Sequence, residues 1–187
     1  GTKLINKLQA LDKQASKMGS HITTLMGNHD IVFGAVAREL KTLPAELLSQ
    51  AGKVRSQELL SKCAEYFRSI GNESSAKLME TFSNGRGHVA EALSADSKTL
   101  EWLKDRPAMY IKDGVLYVHA DSPNVYMQLL KEAKAKGFTG SNLEIVNKYT
   151  KELAKTTEGS QHLYDLMVKN RYQMTRESAM EMLKTFD

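Results

Sequence analysis

Apolar residues recur at helical spacing from the start of the chain. Residues 3–18, KLINKLQALDKQASKM, place leucine, alanine or methionine every three or four positions, with lysine and glutamine between them. This spacing predicts an amphipathic helix, and Gly19 is expected to end it, because glycine is favoured just beyond a helix C-terminus. The next run, HITTLM at 21–26, is apolar and β-branched and predicts a strand. A helix followed closely by a strand is typical of a parallel sheet that helices cover on both faces.

The pattern changes after residue 30. From residue 31 to residue 103 the apolar spacing is helical nearly throughout, and Asp96 or Ser97 is expected to cap one of the helices. A stretch of this length is too long for a loop within a compact sheet protein. We therefore predict a helical insert at 31–103, with residues 1–30 and 104–187 forming parts of an α/β core.

The rest of the chain predicts a β-hairpin followed by helices. Residues 108–111 and 115–119 are two apolar runs on either side of a KDG turn, and Asp-Gly favours a tight hairpin turn. Helical spacing follows at 125–136, 143–155 and 178–186, with loops expected around GFTGS and TTEGSQ.

Composition restricts the class of protein. The 187 residues are 41% hydrophobic and 26% charged, which is typical of globular proteins. No apolar run approaches the ~18 residues that a membrane span needs. The net charge of +4 is spread without a basic stripe, so we expect no nucleic-acid partner. The single cysteine, Cys63, forms no internal disulfide and lies on a predicted apolar helix face, so we interpret it as a core residue. We expect a cytoplasmic protein, with secretion as a bacterial effector left open.

Two predicted strands end in polar segments that contain histidine. These segments are GNHD at 27–30 and HADSP at 119–123. Ligands of open α/β sheets bind at the carboxyl ends of strands. The amide oxygen of Asn28 is a hard ligand, the imidazole of His119 suits transition metals, and His29 is suited to proton transfer. Asn-His-Asp is also a good turn sequence, so a purely structural role stays open.

Both segments resemble motifs of one superfamily. LMGNHD is similar to the GNH[DE] signature of the calcineurin-like metallophosphoesterases, which include the phosphoprotein phosphatases. The block at 100–123, LEWLKDRPAMYIKDGVLYVHADSP, resembles that family's segment of a Trp-Leu pair, a proline, a hairpin and VHGG-x-SP. LYDLMVKNRY at 163–172 is similar to a later segment of bacterial members, so the resemblance is closest to phosphoprotein phosphatases of bacterial type.

The resemblance implies a fold and a set of roles. The fold would be a metallophosphoesterase-like α/β sheet covered by helices, with the helical region inserted. Asn28 and His119 would bind the same metal ion, His29 would donate a proton to the leaving group, and Arg171 would contact the phosphate. The centre would hold two divalent metal ions, with manganese expected and iron, zinc or magnesium as alternatives. The implied substrate is a phosphoprotein carrying phosphoserine/threonine or phosphotyrosine.

The chain also departs from the family pattern. The Asp-x-His and Gly-Asp-x-x-Asp-Arg-Gly motifs expected upstream, and the histidine motif expected downstream, are absent. We therefore expect a chain that is cropped at both ends, with residues outside it completing the metal centre. Ala120 and Asp121 replace two glycines of VHGG. The alternative hypothesis is a non-catalytic interaction module built on the helical insert.

Overall fold

The structure is a computed structural model that describes residues 2–85, 87–119, 123–170 and 173–186. It is 68% helix and 6% strand. None of the helices it describes is long and apolar enough to cross a membrane. The elements run in the order α1 (Thr2–Lys17), α2 (Asn28–Leu40), α3 (Ala45–Leu48), α4 (Ser56–Ser69), α5 (Glu73–Asn84), α6 (Val89–Ser94), α7 (Ser97–Lys104), β1 (Met109–Lys112), β2 (Val115–Val118), α8 (Pro123–Ala135), α9 (Asn142–Leu153), α10 (Thr157–Lys169) and α11 (Arg176–Phe186).

The predicted α/β fold, a metallophosphoesterase-like sheet covered by helices, is wrong. The sheet of the described residues has two antiparallel strands only. The run at 21–26 does not form a strand: the Met26 amide donates to the Pro107 carbonyl at 2.9 Å, and the backbone at 23–25 makes no hydrogen bond within the described residues. β-Branched residues favour extended backbone, but a strand also requires a neighbour that accepts its hydrogen bonds.

The predicted hairpin is confirmed. Strands β1 and β2 pair with Met109 opposite Val118. Asp113 and Gly114 form the turn between them with φ angles of 52° and 72°. Two consecutive positive φ angles are what a two-residue hairpin turn demands, and Asp-Gly supplies them with little strain. The hairpin is thus encoded locally.

Asn147 of α9 holds the start of this hairpin. Its side-chain oxygen accepts hydrogen bonds from the amides of Ala108 and Met109 at 2.9 and 3.1 Å. Its side-chain amide donates to the carbonyl of Met109 at 2.9 Å. One side chain therefore satisfies three backbone groups that the end of a two-stranded sheet would leave unpaired.

Helix ends follow the local signals in several places. Gly19 lies just beyond α1 with a φ of 72°, as predicted. Asp96, one of the two residues predicted to cap a helix, caps α7 and accepts a hydrogen bond from the Thr99 amide at 2.7 Å. The loop predicted around TTEGSQ is wrong, because Thr156 caps α10 by accepting from the Gly159 amide at 3.0 Å. Threonine and glycine there indicate a helix start rather than a loop.

Two apolar clusters form the core. The buried members of the first lie between Val32 and Leu100, on α2 and α4 to α7 with the linking segments. The second combines Met26 and Ile31 with buried residues between Ala108 and Phe186. Helix α2 contributes to both clusters. The proposed boundaries at residues 30 and 103 stay a prediction.

A polar interface joins α2 to α10. The Glu39 carboxylate accepts hydrogen bonds from the hydroxyls of Thr157 and Ser75, the latter at 2.8 Å. The Arg38 guanidinium donates to the carbonyl of Ala154 at 2.9 Å, and burial lowers the pKa of Arg38 from its ordinary value. Partly buried charges persist where such hydrogen bonds replace water.

Gly159 lies where α10 closely approaches the end of α9. A Cβ at this position would lie 2.2 Å from the Leu153 carbonyl oxygen, whereas a Cβ at Gly34, inside α2, would meet its nearest atom at 3.8 Å. We expect Gly159→Ala to lower the free energy of unfolding by about 1–3 kcal/mol, since overpacking forces the backbone apart. Chemical denaturation measures this change.

Gly34→Ala is the matched control. This helical glycine has room for a methyl group, and alanine is expected to stabilise the helix by about 0.5–1 kcal/mol. Equal effects of the two substitutions would contradict the close packing of α9 and α10.

Candidate active site

The GNHD segment is the start of α2. Gly27 is the N-cap residue, and Asn28, His29 and Asp30 form the first turn. The Asp30 carboxylate accepts a hydrogen bond from the Gly27 amide at 3.0 Å, which closes the turn. A carboxylate there also interacts favourably with the positive end of the helix dipole. The polar run therefore ends the extended segment by starting a helix.

Asn28 and His119 face each other across this turn. Asn28 Oδ1 and His119 Nε2 lie 3.2 Å apart, although 91 residues separate them in the chain. His119 follows β2 directly, and both side chains are half-buried. The same Asn28 oxygen also accepts a hydrogen bond from the His29 amide at 3.0 Å, so its orientation is held locally.

Gly27 is what allows this approach. A Cβ on Gly27 would lie 3.0 Å from His119 Cε1, 3.2 Å from its Nδ1 and 3.1 Å from Asp30 Oδ2. The imidazole therefore lies against the glycine, where almost any other side chain would displace it. The glycine of GNHD therefore has a steric role, which is independent of any backbone strain.

The Asn28–His119 pair fits two ligands of one metal ion. Two atoms that each lie about 2.1 Å from a metal and subtend about 100° are about 3.2 Å apart. The distance also suits a hydrogen bond from imidazole to amide oxygen. Among the described residues there is no group of three or more His, Cys, Asp or Glu side chains that could hold a metal ion. Asn28 and His119 by themselves supply two donor atoms, fewer than a metal centre needs.

His29 points in a different direction from Asn28, because successive helical side chains diverge by about 100°. It is exposed and lines a cavity of about 380 Å³ between α1, α2, α5, α6 and α7. A Cβ at Gly85, beyond α5, would lie 3.8 Å from His29 Cε1. Asn28 and His119 are not among the residues that line this cavity.

Arg106 is the residue of this cavity that the sequence analysis missed. It lines the wall with Trp102, and its guanidinium carbon lies 4.4 Å from the centroid of the indole ring. Its Nε donates to the Trp102 carbonyl at 3.0 Å. Trp102 lies on α7 and Arg106 lies beyond the end of that helix, so no helical spacing in the sequence links the two.

Two further residues of interest lie outside the described part of the chain, and the structure shows the position of two others. Arg171, the predicted phosphate contact, and Asp121, the departure in the second motif, lie outside the described residues. His88 is exposed and lines the cavity. Cys63 is fully buried, as interpreted, and burial raises the pKa of its thiol to about 11, so it is protonated at neutral pH. A protonated buried thiol is a poor nucleophile.

Comparisons with known proteins assign neither a family nor a function to the chain. No protein-family model, curated protein or solved structure matches the chain. The resemblance to metallophosphoesterases therefore depends on the two motifs and on their chemistry.

Gly27→Ala tests the packing of His119 against α2. The added methyl group is expected to displace the imidazole by a few tenths of an ångström or more and to lengthen its contact with Asn28, because contacts near 3.0 Å are too short for carbon. Histidine ¹H–¹³C correlation spectra measure this as a shift of the His119 ring signals.

Gly85→Ala is the control, since its Cβ would meet its nearest atoms at 3.6 Å. Unchanged His119 signals in Gly27→Ala would show that the imidazole does not lie against this glycine.

Proposed function

We propose that the protein is a metal-dependent phosphomonoester hydrolase that acts on a phosphoprotein. The observation that carries the proposal is the 3.2 Å approach of Asn28 Oδ1 and His119 Nε2, with His29 beside them on the first turn of α2. Two potential metal ligands thus meet, and a potential proton donor lies next to them in the sequence, on the same helical turn. The resemblance of GNHD and VHADSP to metallophosphoesterase motifs supports the same function.

Asn28 and His119 would hold one of two divalent ions, manganese first and iron, zinc or magnesium as alternatives. Bound divalent ions supply positive charge to the phosphate and lower the pKa of water. Both ligands are neutral, so they leave the charge of the ion available for the phosphate. A metal ion takes about four or more ligands, so the proposal requires further donors from outside the described residues.

His29 would protonate the leaving oxygen. Its side chain is exposed on the first turn of α2 and lines the neighbouring cavity, so a substrate can reach it. Imidazole is the commonest group in proton transfer near neutral pH. Asp30 has a positioning role here, because its carboxylate accepts the Gly27 amide hydrogen bond that closes the turn.

A second candidate is a protein-interaction module. Helix α1 favours it, because its Leu4 and Leu11 are 60% and 39% exposed, and Met18, just beyond the helix, is 78% exposed. Exposed apolar side chains on one helix are a common feature of interaction surfaces. This surface lies on α1, whereas the sequence analysis expected the interaction on the helical insert at 31–103.

The role of His29 predicts a loss of turnover. In the full-length protein with added Mn²⁺, His29→Ala is expected to reduce hydrolysis of para-nitrophenyl phosphate by about 10²–10⁴-fold, the usual contribution of a general acid. Stability should be unchanged, since the side chain is exposed. His21→Ala, a second exposed histidine outside the cavity, is the control. Wild-type turnover in His29→Ala would remove His29 from the mechanism.

The ligand assignment predicts a loss of bound metal. Asn28→Ala and His119→Ala are each expected to lower Mn²⁺ content after equilibrium dialysis, because each removes one donor atom. Asn28→Asp keeps an oxygen donor and is expected to retain the ion. Full metal content in both alanine variants, with the fold intact by circular dichroism, would rule out this pair as ligands.

A further inference from the structure

The cavity beside His29 is mainly apolar. Its volume of about 380 Å³ falls in the range of about 300–1,000 Å³ that is usual for small-molecule sites. The aromatic side chains in its wall are those of Phe33, Phe82, Trp102 and Tyr164, from four different helices. Aromatic rings pack well against one another in offset or edge-on contacts. The wall is therefore suited to an aromatic guest.

Arg106 adds positive charge to this apolar wall. Its guanidinium stacks on Trp102, and its Nε is hydrogen-bonded to the Trp102 carbonyl at 3.0 Å. Its two terminal nitrogens have no hydrogen-bond or ion-pair partner among the described residues. A guanidinium that is held in place while its terminal donors stay unpaired is arranged to bind an anion.

The acidic residues of the wall do not neutralise Arg106. The Asp30 carboxylate accepts the amide hydrogen bond of Gly27 at the start of α2. Glu91 is exposed on α6 and forms no ion pair with Arg106. Among the described residues, the wall thus combines aromatic side chains with one cation, Arg106, that has no ion-pair partner.

We propose that this cavity binds the aromatic ring of an aryl phosphate, of which the phosphotyrosyl side chain is the protein-borne form, with Arg106 donating to its anionic group. The proposal names the substrate class of the proposed hydrolase and, for turnover, rests on that proposed function. A phosphoseryl group has one carbon between backbone and phosphate, and it would leave the apolar wall exposed to water.

Hydrolysis of such a substrate is balanced in bonds and protons, with His29 as the proton donor. Water adds its oxygen to phosphorus, the bond from phosphorus to the phenolic oxygen breaks, and the bonding pair leaves with that oxygen. The proton that His29 donates converts the phenoxide to a phenol, and His29 regains a proton from the water. The products are inorganic phosphate and the free phenol.

Binding is tested without turnover by three probes. Phenylphosphonate carries a ring and an anion, methylphosphonate carries the anion alone, and phenol carries the ring alone. Titration calorimetry is expected to give a dissociation constant for phenylphosphonate about tenfold lower than for either other probe. Trp102 is the only tryptophan of the chain, so a change in its fluorescence locates the ligand in this cavity.

Matched variants locate the contacts. Leu8 lines the cavity, whereas Leu11 lies on the same helix outside it. Leu8→Gln is expected to weaken binding of phenylphosphonate several-fold and Leu11→Gln to leave it unchanged. Arg106→Gln is expected to raise the dissociation constant for phenylphosphonate about tenfold, with that for phenol unchanged, since only the anion loses its partner.

Equal binding of phenylphosphonate and methylphosphonate, or no change in Trp102 fluorescence, would overturn the cavity assignment. The two proposals are separated by turnover of phosphotyrosyl and phosphoseryl peptides in the full-length protein with Mn²⁺. Preference for phosphoserine would overturn the aryl assignment while the hydrolase stands. Binding of phenylphosphonate to a protein that hydrolyses neither peptide would overturn the hydrolase and leave the aryl site.

Discussion

The contact of His119 with the first turn of α2 is the constraint on which the candidate site depends. Closing a loop of 91 residues costs conformational entropy, and a single 3.2 Å contact does not offset that cost. The position of His119 is instead fixed in steps: Asn147 holds β1, β1 pairs with β2, and His119 directly follows β2. Gly27 completes the arrangement because it leaves room for the imidazole. The site is therefore a product of packing between the hairpin, α9 and α2.

The same helix, α2, carries most of the tertiary organisation. Its buried residues belong to both apolar clusters, and hydrogen bonds of Arg38 and Glu39 connect it to Ala154, just beyond α9, and to Thr157 at the start of α10. Apolar burial supplies most of the stabilisation, but it is non-directional. The directional hydrogen bonds of Arg38 and Glu39, together with the close approach at Gly159, select how α10 lies against its neighbours. A rigid α2 is in turn what holds Asn28 and His29 in their different directions.

Two sets of side chains with different chemical character lie near the first turn of α2. On one side lie two neutral donors suited to a divalent ion, and on the other lies an aromatic cavity with the Arg106 cation in its wall. His29 follows Asn28 on the same turn, lines the cavity and is accessible to a molecule bound there. Phosphoester hydrolysis uses such a division, because the phosphate requires positive charge while the leaving group requires a proton and a site of its own.

The sequence by itself determined the features that depend on neighbouring residues. The Asp-Gly hairpin, the end of α1 at Gly19 and the Asp96 cap were all predicted, because turn and cap geometry is a property of a few consecutive residues. The motif resemblance also singled out Asn28, His29 and His119 as a group. Tertiary structure decided the rest. The run at 21–26 has the composition of a strand but lacks a pairing partner among the described residues. Residues of several helices line the cavity, so no local sequence pattern indicated that Arg106 belongs to it.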